Sequence, residues 1–159
     1  PNRNHGCPAM TLTVQTGDPR DPAVVKLLEQ SHALMNELFP ADSCHYLEID
    51  DLCVPEITML TISEGNQIIG CGALSNKSTY GELKSMFVDP AARGKGAADR
   101  LIRELTTLAK SQNLPLLRLE TGEKLAAAIK LYEKHGFTRR GPFGDYHDDP
   151  ESTFMERQI

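Results

Sequence analysis

The sequence predicts one mixed α+β domain around a single sheet. Three observations predict it. The chain has 159 residues, enough for one real core and too few for two comfortable ones. Two β-rich runs, ITMLTIS and QIIGCGALS, flank the hairpin signal Glu64-Gly65-Asn66. After them, runs of helical periodicity alternate with strand-like runs to the end of the chain.

Each element has its own signal. Residues 11–16, TLTVQT, alternate and read as a strand. Asp21-Pro22 is an N-cap followed by proline at the first helical position. Val25, Leu28, Met35 and Phe39 then recur at helical spacing until FPADS ends the helix near residue 38. Residues 40–56 are polar and irregular, with a short helix near HYLEIDDL. Residues 81–88, GELKSMFV, form the next strand. From 94 to 112, Ala97, Ala98, Leu101, Ile102, Leu105, Leu108 and Ala109 make one apolar stripe, and charged residues take the opposite face. LPLLRLE is a short strand. A helix from about 123 to 135 carries Leu125, Ala128, Ile129 and Tyr132 on one face and stops at Gly136. FTRRGPF and STFMERQI are two closing strands joined by GDYHDDPE. The domain spans 10–159. Residues 1–9, PNRNHGCPA, lack an apolar signal core and read as a leader or disordered tail before Met10.

Composition narrows the function. The chain is 40% apolar and 25% charged, with a formal net charge of −5, which fits a soluble globular domain. Nucleic-acid binders carry a basic excess, and this chain does not. No apolar run approaches the ~18 residues of a membrane span. The four cysteines form no C-x-x-C pair and read as free thiols of a cytoplasmic protein. No His/Cys/Asp/Glu cluster has metal-ligand spacing, so no metal is expected.

The chemistry concentrates at VDPAARGKGAADRLI, residues 88–102. A P-loop needs a first glycine where Asp89 stands and a Ser or Thr where Gly96 stands, so that pattern fails. A dinucleotide fingerprint fits Gly94 and Gly96 but meets Asp99 at its third glycine, and fails too. The pattern [RQ]-x-x-G-x-[GA] is satisfied by Arg93, Gly96 and Ala98. Small residues let backbone approach a ligand closely. Successive N–H groups at a helix start then favour an anion, and Arg93 and Lys95 add full positive charge. Such a nest suits a pyrophosphate. A tight strand-to-helix turn with solvated cations is the competing reading.

The neighbouring stretches GELKSMFVDPAARGKGAADRLI, LRLETG and AIKLYEKHGF resemble the GNAT superfamily of acetyl-coenzyme A-dependent N-acetyltransferases. Together they cover residues 81–138. The ending, with PF-x-DY and S-x-FM, resembles a subgroup of small bacterial acetyltransferases. The resemblance implies the GNAT fold, a mixed and mostly antiparallel central sheet with flanking helices. It implies acetyl-CoA as co-substrate and a primary amine, small-molecule or peptide, as acceptor. Dimers are common in the superfamily, so a homodimer is among the expected states.

Residue roles follow from the same resemblance. The main chain of Phe87 and Val88 would pair with the pantetheine arm, and one of their N–H groups would hold the oxyanion. The amides of Arg93, Gly94, Lys95, Gly96, Ala97 and Ala98 would hold the pyrophosphate. Tyr132 would protonate the leaving thiolate, or else serve the core on its apolar stripe. An ammonium of pKa about 10.4 must lose a proton before attack. Glu82 matches a family position for the base, against a plain surface pair with Lys84; Glu120 and a water relay are the other candidates. The family often has Asn near the start of the last helix, contacting the pantetheine arm; Gly122-Glu123-Lys124 stands there instead, so either that contact is missing or Thr121 or Glu123 replaces it.

Acceptor selection would fall to the first helix, the segment after it and the final hairpin. His32 lies on the first helix's apolar stripe, as a site residue or a satisfied core residue. His45 and Tyr46 could line a pocket mouth. Asp145, His147, Asp148, Asp149 and Glu151 form either an acidic rim for a cationic amine or a solvated loop tip. Two other functions stay open: a non-catalytic acyl-CoA-binding module of the same fold, and a site for another phosphate ligand such as ATP.

Overall fold

A computed structural model describes residues 11–159; the expected leader, and Cys7 with it, lies outside the described residues. The elements are β1 (Leu12–Thr16), α1 (Pro22–Leu38), α2 (Ile49–Leu52), β2 (Ile57–Glu64), β3 (Gln67–Asn76), β4 (Gly81–Val88), α3 (Ala97–Ser111), β5 (Leu116–Gly122), α4 (Ala126–Lys134), β6 (Thr138–Arg140) and β7 (Ser152–Gln158). The strands form one seven-stranded sheet in the order β1-β2-β3-β4-β5-β7-β6. Every neighbouring pair is antiparallel except β4 and β5, which are parallel.

Alternation along the strands divides the sheet into two faces. On one, Leu60, Ile62, Leu74, Leu83, Leu117, Leu119 and Met155 pack against α3 and α4. Leu101, Ile102 and Leu105 of α3 are wholly buried there, each worth roughly 1.5–3 kcal/mol. On the other, Met59, Cys71 and Ala73 pack against Val24, Leu27, Leu28 and Leu52 of α1 and α2. This second cover stops short of the β4–β5–β7 half of the sheet. Polar side chains and the buried ring of Phe154 fill that half, roofed by the loop 141–151, whose Phe143 and Tyr146 pack on Phe154.

Several boundaries differ from expectation for local reasons. The α3 helix opens at Ala97, because Gly94 and Gly96 hold φ of +82° and +79°, outside the helical region. The last helix begins at Ala126 rather than 123, since the Glu123 N–H donates to the Glu151 carbonyl of the roof loop. The strand expected over 137–143 is only Thr138–Arg140; Gly141 and Pro142 end its ladder. The buried stripe of α1 is Val24, Leu27 and Leu28, and Val25 is only partly covered. Leu34 and Met35 farther along turn to a cleft instead. Gly136 ends α4 at φ +88°, as its position predicts.

Candidate active site

The site grows from a fork in the sheet. β4 and β5 are paired only from Gly81–Leu83 to Leu117–Leu119. Beyond that point they separate, and the β5-facing edge of β4 has no strand partner. A bulge in β4 reinforces the separation. Cys71 pairs with Phe87 and Ala73 with Lys84, so Ser85 and Met86 together face Gly72. Ser85 takes φ +55° at the bulge. Gly72 leaves room opposite it for Met86; a Cβ there would come within 2.4 Å of the Met86 Sδ and push that side chain aside.

The fork opens into a cleft of about 360 Å³. Met86, Phe87 and Val88 form its floor. Leu34 and Met35 of α1, Leu125 just before α4, and Ala128 and Leu131 of α4 line it, and Arg93, Gly94, Gly96, Ala97 and Ala98 complete the lining. This is a mostly apolar slot ending on a helix N-terminus. Gly96 occupies the N-cap and offers no side chain to the first-turn N–H groups, so they are left to a ligand. A Cβ on Gly94 or Gly96 would meet nothing within 4 Å; the glycines are there for their backbone angles. Asp99 does not oppose an anion here as a free charge. It is held by Lys134 at 3.0 Å and His135 at 2.7 Å, and the hydrogen bond from His135, with that from Lys134, keeps its carboxyl below the usual range. The charge of Lys95 corrects an expectation. Its ammonium sits 2.8 Å from Glu64 on the β2–β3 hairpin, and its side chain takes no part in lining the cleft.

Tyr132 is buried in α4 and reaches the same cleft. Among the described residues no partner takes its hydroxyl, yet it is not a sealed polar atom, so it faces open space. Burial, with the Glu120 charge as a lesser cause, pushes its phenol up and keeps the proton on.

On the opposite face, Glu82, Lys84, Arg118 and Glu120 lie side by side, as strand alternation and the β4–β5 register require. Glu82 is only 5% exposed. The pair with Lys84 is therefore not a surface pair. Tyr146 of the roof loop donates to Glu82 Oε2 at 2.5 Å. Lys84 Nζ lies 3.5 Å from the same oxygen and donates to the Tyr146 hydroxyl at 2.8 Å and the His45 carbonyl at 3.2 Å. Burial pushes the Tyr146 phenol far up, helped by the Glu82 charge. Ser43 ties the segment after α1 to the same loop through Asp149 at 2.6 Å.

Glu120 is the first β5 residue beyond the last β4 pair, so it stands in the fork. Its Oε1 accepts from Ser152 at 3.1 Å. Burial raises its carboxyl to about 7; the Ser152 hydrogen bond and Lys84 oppose the rise, and Glu82 and Asp149 add to it. A carboxylate poised near neutrality suits proton acceptance.

Other expected residues fall into place around this core. His45 and Tyr46 line a second cavity of about 720 Å³, together with Tyr80, Glu82, Lys84 and Tyr146. His32 does not line it. It stacks on Tyr46 with ring centres 4.0 Å apart, and burial lowers its pKa. Glu123 bonds Thr153 and Arg139 and points away from the cleft. Cys71 is buried with its thiol pushed up to about 12, the opposite of an activated nucleophile. Cys44 and Cys53 are free thiols as well. Tyr146, the last residue of the PF-x-DY ending, carries no role among the sequence expectations; its signal is one aromatic in an otherwise acidic loop, after Pro142-Phe143.

The model of the Acetyltransferase (GNAT) family matches residues 25–137. The chain belongs to the GNAT family. It is an acetyl-CoA-dependent N-acetyltransferase. The IAA acetyltransferase of Azospirillum brasilense is 40% identical over 150 residues, covering 93% of this chain and 98% of that protein. A crystal structure from Klebsiella pneumoniae, assigned as an acyl-CoA N-acyltransferase, superposes with a TM-score of 0.78 at 30% identity, covering 93% of this chain and 97% of its own. A Bacillus anthracis structure, assigned as a streptothricin acetyltransferase, contains acetyl coenzyme A; it is 29% identical with a TM-score of 0.61 over 72% of this chain and 69% of its own. Among the described residues of this GNAT chain, no helix is long and apolar enough to cross a membrane.

Proposed function

We propose that the chain transfers acetyl from acetyl-CoA directly to a primary amine, with the reaction centred on the fork. The observation that carries this reading is the convergence of two proton-handling groups there. Tyr132 of α4 lines the cleft on one side, and Glu120 is the first β5 residue past the last β4 pair. Acetyl-CoA supplies the activated acetyl thioester. The apolar slot between α1 and α4 fits the pantetheine arm, and the free amides from Gly94 to Ala98 fit a pyrophosphate. An N–H on the unpaired edge of β4, at Phe87 or Val88, holds the developing oxyanion.

The amine enters from the larger cavity, past Glu82 and Lys84. Its proton goes to Glu120, directly or through water. Glu82, the base expected by position, is held instead by Tyr146 and Lys84 and shapes the acceptor wall. Tyr132 gives its proton to the departing thiolate. No acyl-enzyme is required, and holding both reactants supplies much of the acceleration.

The test is calorimetric titration with acetyl-CoA, coenzyme A and ATP, followed by free-thiol release with an amine panel. Coenzyme A species should bind, ATP should not, and Gly96→Glu should lose the binding. Equal binding of ATP, or none by the wild type, defeats the reading.

A further inference from the structure

The acceptor cavity has a property that the fold alone does not impose. At about 720 Å³ it can enclose a small organic amine. It contains one largely buried ammonium, on Lys84, and that charge is already paired. Lys84 Nζ donates to the His45 carbonyl and the Tyr146 hydroxyl and lies 3.5 Å from Glu82 Oε2. A substrate carboxylate would have to displace Glu82 to reach it. Besides the His45 imidazole, the remaining basic side chain among the lining residues is Lys77, which is exposed at the rim. Asp51, Glu56 and Asp145 are exposed at the same rim. An entering carboxylate therefore meets three like charges and one solvated ammonium. An entering ammonium meets the reverse. The walls between rim and floor are aromatic, from Tyr46, Tyr80 and Tyr146.

We infer that the acceptor is a cationic amine bearing no carboxylate, its apolar or aromatic body laid along Tyr46, Tyr80 and Tyr146. This rests on the acetyltransferase reading of the fork and narrows its substrate class. Amino acids with a free α-carboxylate are disfavoured because the cavity has no unpaired buried cation for that group; the neutral hydroxyls of Ser75 and Tyr80 among its lining residues do not offset the charge, and a desolvated, unpaired carboxylate is costly.

Matched pairs that differ only in the carboxylate test it: tyramine with tyrosine, cadaverine with lysine, agmatine with arginine. Free-thiol release from acetyl-CoA is followed with the full chain, and acetyl-CoA binding is measured alongside. At least one amine should be acetylated with kcat/KM tenfold or more above its amino-acid partner. Glu56→Gln combined with Asp145→Asn should raise KM for cadaverine more than for tyramine, since only the diamine leaves a second cation at the rim. An amino acid used as well as its amine overturns the inference. So does bound acetyl-CoA without turnover of any of the three amines, which leaves the acetyltransferase reading itself standing. Failure to bind acetyl-CoA overturns both.

Discussion

Glu82 and Tyr146 are 64 positions apart and meet at 2.5 Å, with Lys84 donating to the same hydroxyl from 2.8 Å. The three groups form a buried chain of cation, hydroxyl and carboxylate. Such networks are costly when only partly satisfied. Tyr146→Phe should lose about 2 kcal/mol of stability, the scale of a hydrogen bond to a charged group. Lys84→Met should lose more, about 3–5 kcal/mol, because Glu82 is left buried without its cation. Urea unfolding measures both, and equal losses would mean that Tyr146 carries the pair unaided.

Tyr132→Phe tests the acid. The hydroxyl has no partner among the described residues, so its removal should leave folding nearly unchanged. Turnover should fall about 100-fold, the low end for general acid catalysis. Acetyl-CoA affinity should hold. An unchanged kcat would assign Tyr132 to the core.

Gly94 and Gly96 stand at φ +82° and +79° with open space beyond them. Alanine at either position should cost about 1 kcal/mol through backbone strain alone. It should also weaken acetyl-CoA binding by reshaping the turn. Calorimetry combined with thermal unfolding separates the two effects.

The Glu120 carboxyl rises from an ordinary 4.5 to about 7. In that window the folded state binds more protons than the unfolded one, so stability falls as pH rises. The group's favourable contribution is whole below about 4.5 and gone above about 7. Glu120→Gln should therefore gain stability relative to wild type at pH 8 and lose the advantage near pH 4. The rise of kcat/KM through about pH 7 should disappear in the same variant, while Glu82→Gln should keep it.

Lys95 and Arg93 separate charge from geometry in the turn. The Lys95 ammonium is spent on Glu64, whereas Arg93 lines the cleft. Lys95→Ala should change acetyl-CoA affinity less than about threefold, and Arg93→Ala should weaken it more, by the roughly 1 kcal/mol typical of a partly exposed charge.

Much of this was written in short spacings. The α3 stripe, the Asp21-Pro22 start of α1, the hairpin at Glu64-Gly65-Asn66 and the stop at Gly136 each depend on residues a few positions apart. The glycine-rich turn belongs with them, because two positive φ values in three residues are a local demand that glycine meets. Tyr132 was legible as a residue of the last helix's apolar face for the same reason.

The tertiary structure decided what those residues meet. Strand order places β5 beside β4 and β7 beside β5, and that arrangement alone puts Glu120 in the fork with Ser152 behind it. The path of the loop 141–151 brings Tyr146 onto Glu82 and gives Lys84 a hydroxyl to donate to. The exposed hairpin supplies Glu64 to Lys95. Backbone preference acts over a turn or a strand and can be read along the chain. Proton affinity and side-chain pairing depend on burial and on partners tens of residues away, which exist only once the sheet has closed its register.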